Sequence, residues 1–169
     1  MHRKSYHKLF LKYTDPASGV ILYEMMNRLF FADTLPPVDM ICKKLKTKSD
    51  SSRIFVNADF SYSGSNSRPE IRIDPDSIIA SSPGSSWEQI FFHLCGCLLH
   101  EMVHFYCRLN DIQDVDYRRQ YHTKEFKKAA EEHGLEVYKA AFEPSLYGYN
   151  MTYLSKASER MIIKETSKK

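Results

Sequence analysis

Two stretches of the chain repeat apolar residues at helical spacing and predict its main helices. Between Ser18 and Phe31 apolar side chains recur every three or four positions, and Pro36-Pro37 beyond them cannot continue a helix. From about Trp87 to Arg108 the residues are apolar on nearly all sides. A helix of that kind has no polar face to turn toward water. We therefore expect this second helix to lie buried in the middle of the fold, capped by Ser85 or Ser86.

Shorter segments complete the expected architecture. A third helix is predicted from Thr123 to His133, because Gly134 supplies a helix stop. Segments that alternate apolar and polar residues, or are rich in β-formers, predict short strands: Val38–Leu45, Arg53–Phe60, Glu70–Asp74 and Leu135–Tyr138. The aromatic stretch from Tyr147 to Tyr153 gives no clear prediction, and the tail from Lys164 to Lys169 is expected to fray.

Composition narrows the class of protein. A chain of 169 residues with 43% hydrophobic and 27% charged residues is expected to form one globular domain spanning residues 1–169. No signal-peptide core follows the basic N-terminus, and no uninterrupted apolar run approaches a membrane span, so we expect a cytoplasmic protein without a membrane partner. Four cysteines without a C-x-x-C pair predict free thiols rather than a zinc ribbon. A net charge of +3 permits a nucleic-acid partner without demanding one.

The central helix carries His100-Glu101-Met102-Val103-His104, an H-E-x-x-H motif. Residues four apart lie one above the other on a helix, so His100 and His104 can meet one metal ion. Glu101 lies about 100° round the helix, beside the metal, where it can take a proton from water. Polar groups of this kind on an apolar helix would be costly to bury without partners. The motif therefore predicts a zinc site with Glu101 as the catalytic base.

A catalytic zinc usually has three protein ligands, so a third must come from outside the motif. The candidates are downstream or neighbouring histidines and acids: His122, Glu125, His133, His93, Asp111, Asp114 and Asp116. His93 lies about 10 Å along the axis from His100, and His133 stands where a C-capping role is favoured. His122, at the start of the third helix after a polar loop, is the preferred ligand, with Glu125 as its competitor.

These motifs together resemble the SprT-like metalloprotease family. The resemblance rests on Leu98–Tyr106 around the H-E-x-x-H, on His122-x-x-Glu125-Phe126, on the strand Glu70–Ile73, and on Tyr23–Val38 with its Leu-Pro turn. It implies an α+β, zincin-like fold in which a small mixed or antiparallel sheet packs on the active-site helix. It also implies one Zn²⁺ per chain held by His100, His104 and His122. No cysteine follows Cys107, so a bacterial or phage type without the C-terminal zinc ribbon is expected.

The resulting hypothesis is a zinc-dependent endopeptidase that acts on protein or peptide substrates. Several members of the family act on DNA-associated proteins, so weak binding of single-stranded DNA is a further expectation. Two sets of basic residues could form patches for such contacts, although a solvated surface is favoured because glutamates are interleaved with the second set: Lys43, Lys44, Lys46 and Lys48, then Arg118, Arg119, Lys124, Lys127 and Lys128. The alternative is a zinc-containing, nucleic-acid-associated binding module with little or no proteolysis. A third possibility is an enzyme that hydrolyses a non-protein amide at the same site.

Two further site predictions concern the substrate. Glu70–Asp74 is short and alternates charged with apolar residues, as edge strands do, so Ile71, Arg72 and Ile73 are predicted to bind an extended substrate as an added strand. Tyr147, Tyr149 and Tyr153 are candidates for stabilising the oxyanion, although a core or surface role for each is favoured. The natural substrate and the oligomeric state are not readable from the sequence.

Overall fold

The described part of the chain mixes helices and short strands. A computed structural model describes residues 3–45, 57–62, 68–116, 121–139, 149 and 151–168. Its helices are α1 Arg3–Tyr13, α2 Pro16–Phe31, α3 Pro75–Ala80, α4 Trp87–Leu109, α5 Lys124–Glu132 and α6 Lys156–Thr166. The predicted helices correspond to α2, α4 and α5. The expectation of a frayed tail is wrong for Lys164–Thr166, which belong to α6.

Side-chain caps fix where the helices begin. Ser86 accepts a hydrogen bond from the Gln89 amide while the Gln89 side chain accepts one from the Ser86 amide, which is a full capping box for α4. Thr123 caps α5 in the same way by accepting from the Phe126 amide at 3.1 Å. At the other end of α5, Gly134 has a φ of +94° that other residues rarely adopt, so the predicted helix stop is confirmed.

The strands form three small sheets: β1 Asp39–Cys42, β2 Ala58–Ser61, β3 Glu70–Ile73, β4 Val115–Asp116, β5 Tyr121–His122, β6 Leu135–Tyr138 and β7 Met151–Leu154. The largest has the order β1-β3-β2, with β1 parallel and β2 antiparallel to β3, while β4 pairs with β5 and β6 with β7. The prediction of an α+β fold with a small mixed sheet is confirmed. Residues 53–56 of the predicted second strand lie outside the described residues.

The prediction that β3 is a substrate-binding edge strand is wrong. β3 pairs with β1 on one side and β2 on the other, so it is the central strand. Ile71 and Ile73 are completely buried, and Arg72 forms a two-pronged ion pair with Asp59 of β2, at 2.6 and 2.8 Å. Alternation of charged and apolar residues also marks a central strand with one solvent-facing side, which explains the error.

The core is organised around α4, as its all-round apolar pattern predicts. One cluster of buried side chains reaches from Tyr6 in α1 to Ile162 in α6 and includes Leu98 and Met102 of α4. Within the described residues, α4 alone is long and apolar enough to cross a membrane, but 67% of its most apolar window is buried inside the fold. All four cysteines are free, as predicted. This packing leaves one polar face of α4 open.

Candidate metal centre

Three histidine side chains converge on the open face of α4. His100 and His104 lie one helical turn apart, and their Nε2 atoms are 3.1 Å from each other. His122 approaches from the end of β5, and its Nε2 lies 3.0 Å from that of His104. The short β4–β5 ladder, which pairs His122 with Val115, brings this distant residue over the helix. The three histidines are therefore close enough to bind one metal ion.

Hydrogen bonds orient two of these rings from behind. Nδ1 of His104 lies 2.5 Å from the Asp114 carboxylate, and Nδ1 of His100 lies 2.9 Å from the Thr152 hydroxyl. A carboxylate only accepts, so Nδ1 of His104 carries the proton and its Nε2 lone pair points to the cluster. Such outer partners are typical of metal-binding histidines. The sequence makes Asp114 a candidate ligand, but its carboxylate contacts the far side of the His104 ring instead.

Phe126 of α5 forms the floor beneath the cluster. It is completely buried, and its ring centroid lies 4.3, 4.7 and 4.9 Å from those of His122, His104 and His100. A large aromatic side chain at this position limits how far the imidazoles can turn, since interiors are close-packed. The helix that begins just after His122 therefore also supplies the packing for all three rings.

The donor set fits a zinc ion. Zinc–nitrogen bonds of about 2.0–2.1 Å in tetrahedral geometry separate two nitrogens by about 3.3 Å, close to the observed 3.0 and 3.1 Å. Three histidines leave a fourth position for water or substrate. Among the described residues, the buried Nδ1 of His122 has no hydrogen-bond partner.

Burial favours the neutral form of two of the three imidazoles, those of His100 and His122. It lowers the pKa of His100 well below its ordinary value, with a further contribution from His104 and His122. Burial and His104 lower the pKa of His122 to about 4. For Asp114, burial raises the pKa, but hydrogen bonds from the His104 ring and from the backbone amides of Asp114 and Val115 outweigh this and hold the pKa below its usual range. A metal ion needs unprotonated imidazoles, which these effects favour at neutral pH.

Glu101 lies next to the histidines but is not part of their cluster. It is 7% exposed, and burial raises the pKa of its carboxyl to about 7. Together with the three histidines it lines a cleft of about 600 Å³, whose walls include Ala58, Asp59 and Phe60. A buried carboxyl that ionises near neutrality beside a potential metal ion has the properties of a general base.

The remaining candidate ligands lie elsewhere. Glu125, the main competitor of His122, is exposed in the first turn of α5. His93 is bonded through both ring nitrogens, to the Ser82 hydroxyl at 2.8 Å and the Asn57 amide at 3.1 Å. His133 is the C-cap of α5, with Nδ1 2.8 Å from the Ala129 carbonyl, so its expected capping role is confirmed. The cluster contains neither Asp111 nor Asp116.

The structure describes only some of the tyrosines and basic residues that the sequence analysis proposes for the site. Tyr147 and the basic residues Lys46, Lys48, Arg118 and Arg119 lie outside the described residues. Tyr153 is 52% exposed, and Tyr149 donates its amide to the His122 carbonyl at 3.4 Å. Sequence reasoning missed Tyr62 and Arg108, which line the cleft, and Thr152, which contacts His100 across 52 residues of chain. No local pattern marks such long-range contacts.

Comparisons with known proteins do not identify the chain. It matches no family model, no curated protein and no solved structure.

Proposed function

We propose that the protein is a zinc-dependent endopeptidase of the SprT-like, zincin-like type. The observation that carries this proposal is the convergence of three histidine Nε2 atoms beside the buried Glu101, on the floor of an open cleft. His100, His104 and His122 would hold the ion. When bound, zinc would supply Lewis-acid activation of a water molecule and of the substrate carbonyl.

Glu101 performs the proton transfers in this proposal. Its carboxylate accepts a proton from the attacking water and then delivers it to the nitrogen of the departing amine. A pKa near 7 suits both steps, because the group changes its protonation state easily at neutral pH. Asp114 and Thr152 keep two of the imidazoles in place while this happens.

The substrate would bind along β2 rather than along β3. The Asp74 amide donates to the Asn57 carbonyl at 2.9 Å, so these two residues form a hydrogen-bonded pair of the antiparallel ladder. Pairs alternate along such a ladder, and the backbone groups of Ala58 and Phe60 therefore point away from β3. Both residues line the cleft. An extended peptide can add to this edge as a further strand.

Replacing Glu101 by glutamine tests the proposed function. Glutamine is nearly isosteric but cannot accept the proton, so Glu101→Gln should retain zinc and fold while cleavage of an unfolded protein such as casein falls by about 10²–10⁴-fold. Glu125→Gln, an exposed change on α5, is the matched control and should cleave normally. Zinc content and cleavage rate are measured on both variants.

Two results would contradict the proposal. Equal rates for wild type and Glu101→Gln would remove Glu101 as the base. A metal-loaded wild type that cleaves no protein would instead favour the alternative of a zinc-containing binding module, or hydrolysis of a non-protein amide.

A further inference from the structure

The row of clustered histidines on α4 continues into a cation. His100, His104 and Arg108 follow one another at intervals of four residues, so all three lie on one face of the helix. Arg108 is exposed in the last turn of α4 and lines the same cleft as the histidines. The helical rise puts its Cα about 9 Å along the axis from the midpoint of the two histidines. The end of the cleft beyond His104 therefore carries a positive charge.

The acidic side chains of this cleft already have other roles. Asp59 is held by Arg72 at 2.6 and 2.8 Å, Asp114 contacts the His104 ring, and the third is the proposed general base. The ion pairs among the described residues do not include Arg108. A cation in the last turn also suits the helix dipole, but a side chain pointing in any direction would serve that purpose. The guanidinium of Arg108 is thus available to a ligand in the cleft.

Apolar side chains accompany the guanidinium. Phe60 and Tyr62 line the cleft, and their ring centroids lie 5.1 and 6.2 Å from that of the buried Phe105. Phe105 comes three residues before Arg108, so the two are neighbours on the helix surface. Apolar walls lower the local dielectric constant and strengthen the attraction between opposite charges. A guanidinium binds a carboxylate through two parallel hydrogen bonds, so this end of the cleft suits that anion.

We propose that Arg108 binds a carboxylate of the substrate and thereby sets the specificity of the cleft. This inference rests on the proposed function and specifies its substrate class: a polypeptide with a carboxylate within about three residues of the cleaved bond, since each residue of a chain spans roughly 3.3 Å. The carboxylate belongs either to an aspartate or glutamate side chain or to the C-terminus of the substrate. A lysine at the same position is disfavoured, because like charges repel each other.

Peptide binding to an inactive protein tests the inference separately from catalysis. The receptor is zinc-loaded Glu101→Gln, and the parent probe is the tightest binder among fluorescein-labelled, C-terminally amidated peptides that tile a casein chain. It is resynthesised with glutamate, glutamine or lysine at each position in turn, and affinity is measured by anisotropy. At one position we expect glutamate to bind about 3- to 10-fold more tightly than glutamine, and lysine to bind more weakly than both. If the C-terminus is the source, truncated peptides with a free carboxylate gain this factor over their amides instead.

Variants of Arg108 in the same receptor show whether the preference comes from this side chain. The measure is the ratio of the affinities for the carboxylate peptide and its neutral counterpart, in which a general effect on folding or zinc content cancels. Arg108→Gln should remove the preference, and Arg108→Glu should reverse it in favour of the lysine peptide. Arg160→Gln, exposed on α6 and outside this cleft, is the matched control and should keep the preference.

Three results would overturn the inference: no peptide binds, no carboxylate improves binding at any position or at the C-terminus, or Arg108→Gln keeps the preference. Cleavage of casein by the wild type alongside any of these results would leave the proposed function standing. Conversely, carboxylate binding that depends on Arg108 in a protein that cleaves no polypeptide would contradict the proposed function alone.

Discussion

Two sets of partly buried histidines use their ring nitrogens differently: His93 of α4 alone, and a second group made of His100 and His104 of α4 with His122 of β5. His93 has both nitrogens satisfied by neutral side chains, the Ser82 hydroxyl and the Asn57 amide. In the second group, His100, His104 and His122 turn their Nε2 atoms toward one another. Burial lowers the pKa of His93 just as it does for His100. Burial alone therefore does not distinguish a structural histidine from a metal ligand, whereas the partners of its nitrogens do.

The largest expected effects come from replacing one histidine of each group in turn. His122→Ala removes a proposed ligand and should lower zinc affinity by more than the roughly 10–100-fold that outer partners contribute. His93→Ala should keep the metal but lower the free energy of unfolding by about 1–3 kcal/mol, because it leaves buried polar partners unsatisfied. Competition against a zinc chelator and thermal melting measure the two quantities.

Glu125→Ala separates the two candidate third ligands. It lies three residues after His122 and is exposed, so zinc affinity should not change. Loss of zinc on Glu125→Ala, with zinc retained by His122→Ala, would show that the third ligand is wrong.

A smaller effect concerns protonation of the metal-free protein. The pKa of Glu101 is raised to about 7 by burial, so the folded state holds this proton more tightly than the unfolded state. Its contribution to stability is complete at low pH and is lost as pH rises from about 4.5 through 7. The Glu101→Gln variant has no carboxyl to titrate at this position, so it does not lose this stability as pH rises. Its stability advantage over wild type should grow by on the order of 2 kcal/mol between pH 5 and pH 8, measured by denaturant unfolding with a chelator present.

The histidines give the opposite dependence in both proteins. Burial lowers the pKa of His93 and His100, so their contribution to stability is present above about pH 6.5 and is lost as pH falls. Wild type and Glu101→Gln should therefore share a loss of stability at acid pH. A constant difference between the two from pH 5 to pH 8 would contradict the raised pKa of Glu101.

The smallest expected effect concerns DNA. The ammonium groups of Lys127 and Lys139 each lie 5.5 Å from the centre of the Tyr149 ring, whose backbone contacts His122. If single-stranded DNA binds here, it should accelerate cleavage of DNA-bound proteins at low salt, and Lys127→Ala with Lys139→Ala should reduce this stimulation less than 10-fold. Lys8→Ala, exposed on α1 and outside both basic sets, is the control. Equal rates with and without DNA at low and high salt would remove the DNA role.

Sequence patterns predicted the parts of the fold that depend on local spacing. The all-round apolar residues of α4 indicated its central position, and the i, i+4 histidines indicated where a metal could bind. The helices α1 and α6 carry buried residues such as Phe10 and Ile162, but their amphipathic patterns are short and were not recognised. α3 was missed because Pro75 was interpreted only as the end of a strand, although proline is favoured in a first helical turn.

Contacts between distant segments could not be predicted in the same way. In the sheet order β1-β3-β2, the strand that comes last in the sequence lies in the middle. No feature of the segment Glu70–Ile73 predicts this central position. His122 was preferred over Glu125 by its place before a helix, whereas the contacts of Asp114 and Thr152 depend on chain reversals. The three histidines of the cluster were thus predictable from the sequence, whereas the groups that orient them were not.

The hydrogen bonds made by Thr123 affect how quickly the site can take up a metal ion. Its hydroxyl donates to the Gln113 carbonyl at 2.6 Å, and its amide donates to the Asp114 carbonyl at 2.9 Å. These bonds close the segment between Gln113 and Thr123, which are ten residues apart, and so hold His122 near His104. Closing a flexible loop of that length costs about 2 kcal/mol in chain entropy. Because hydrogen bonds within the fold offset that cost, they would preorganise the proposed ligands for a metal ion.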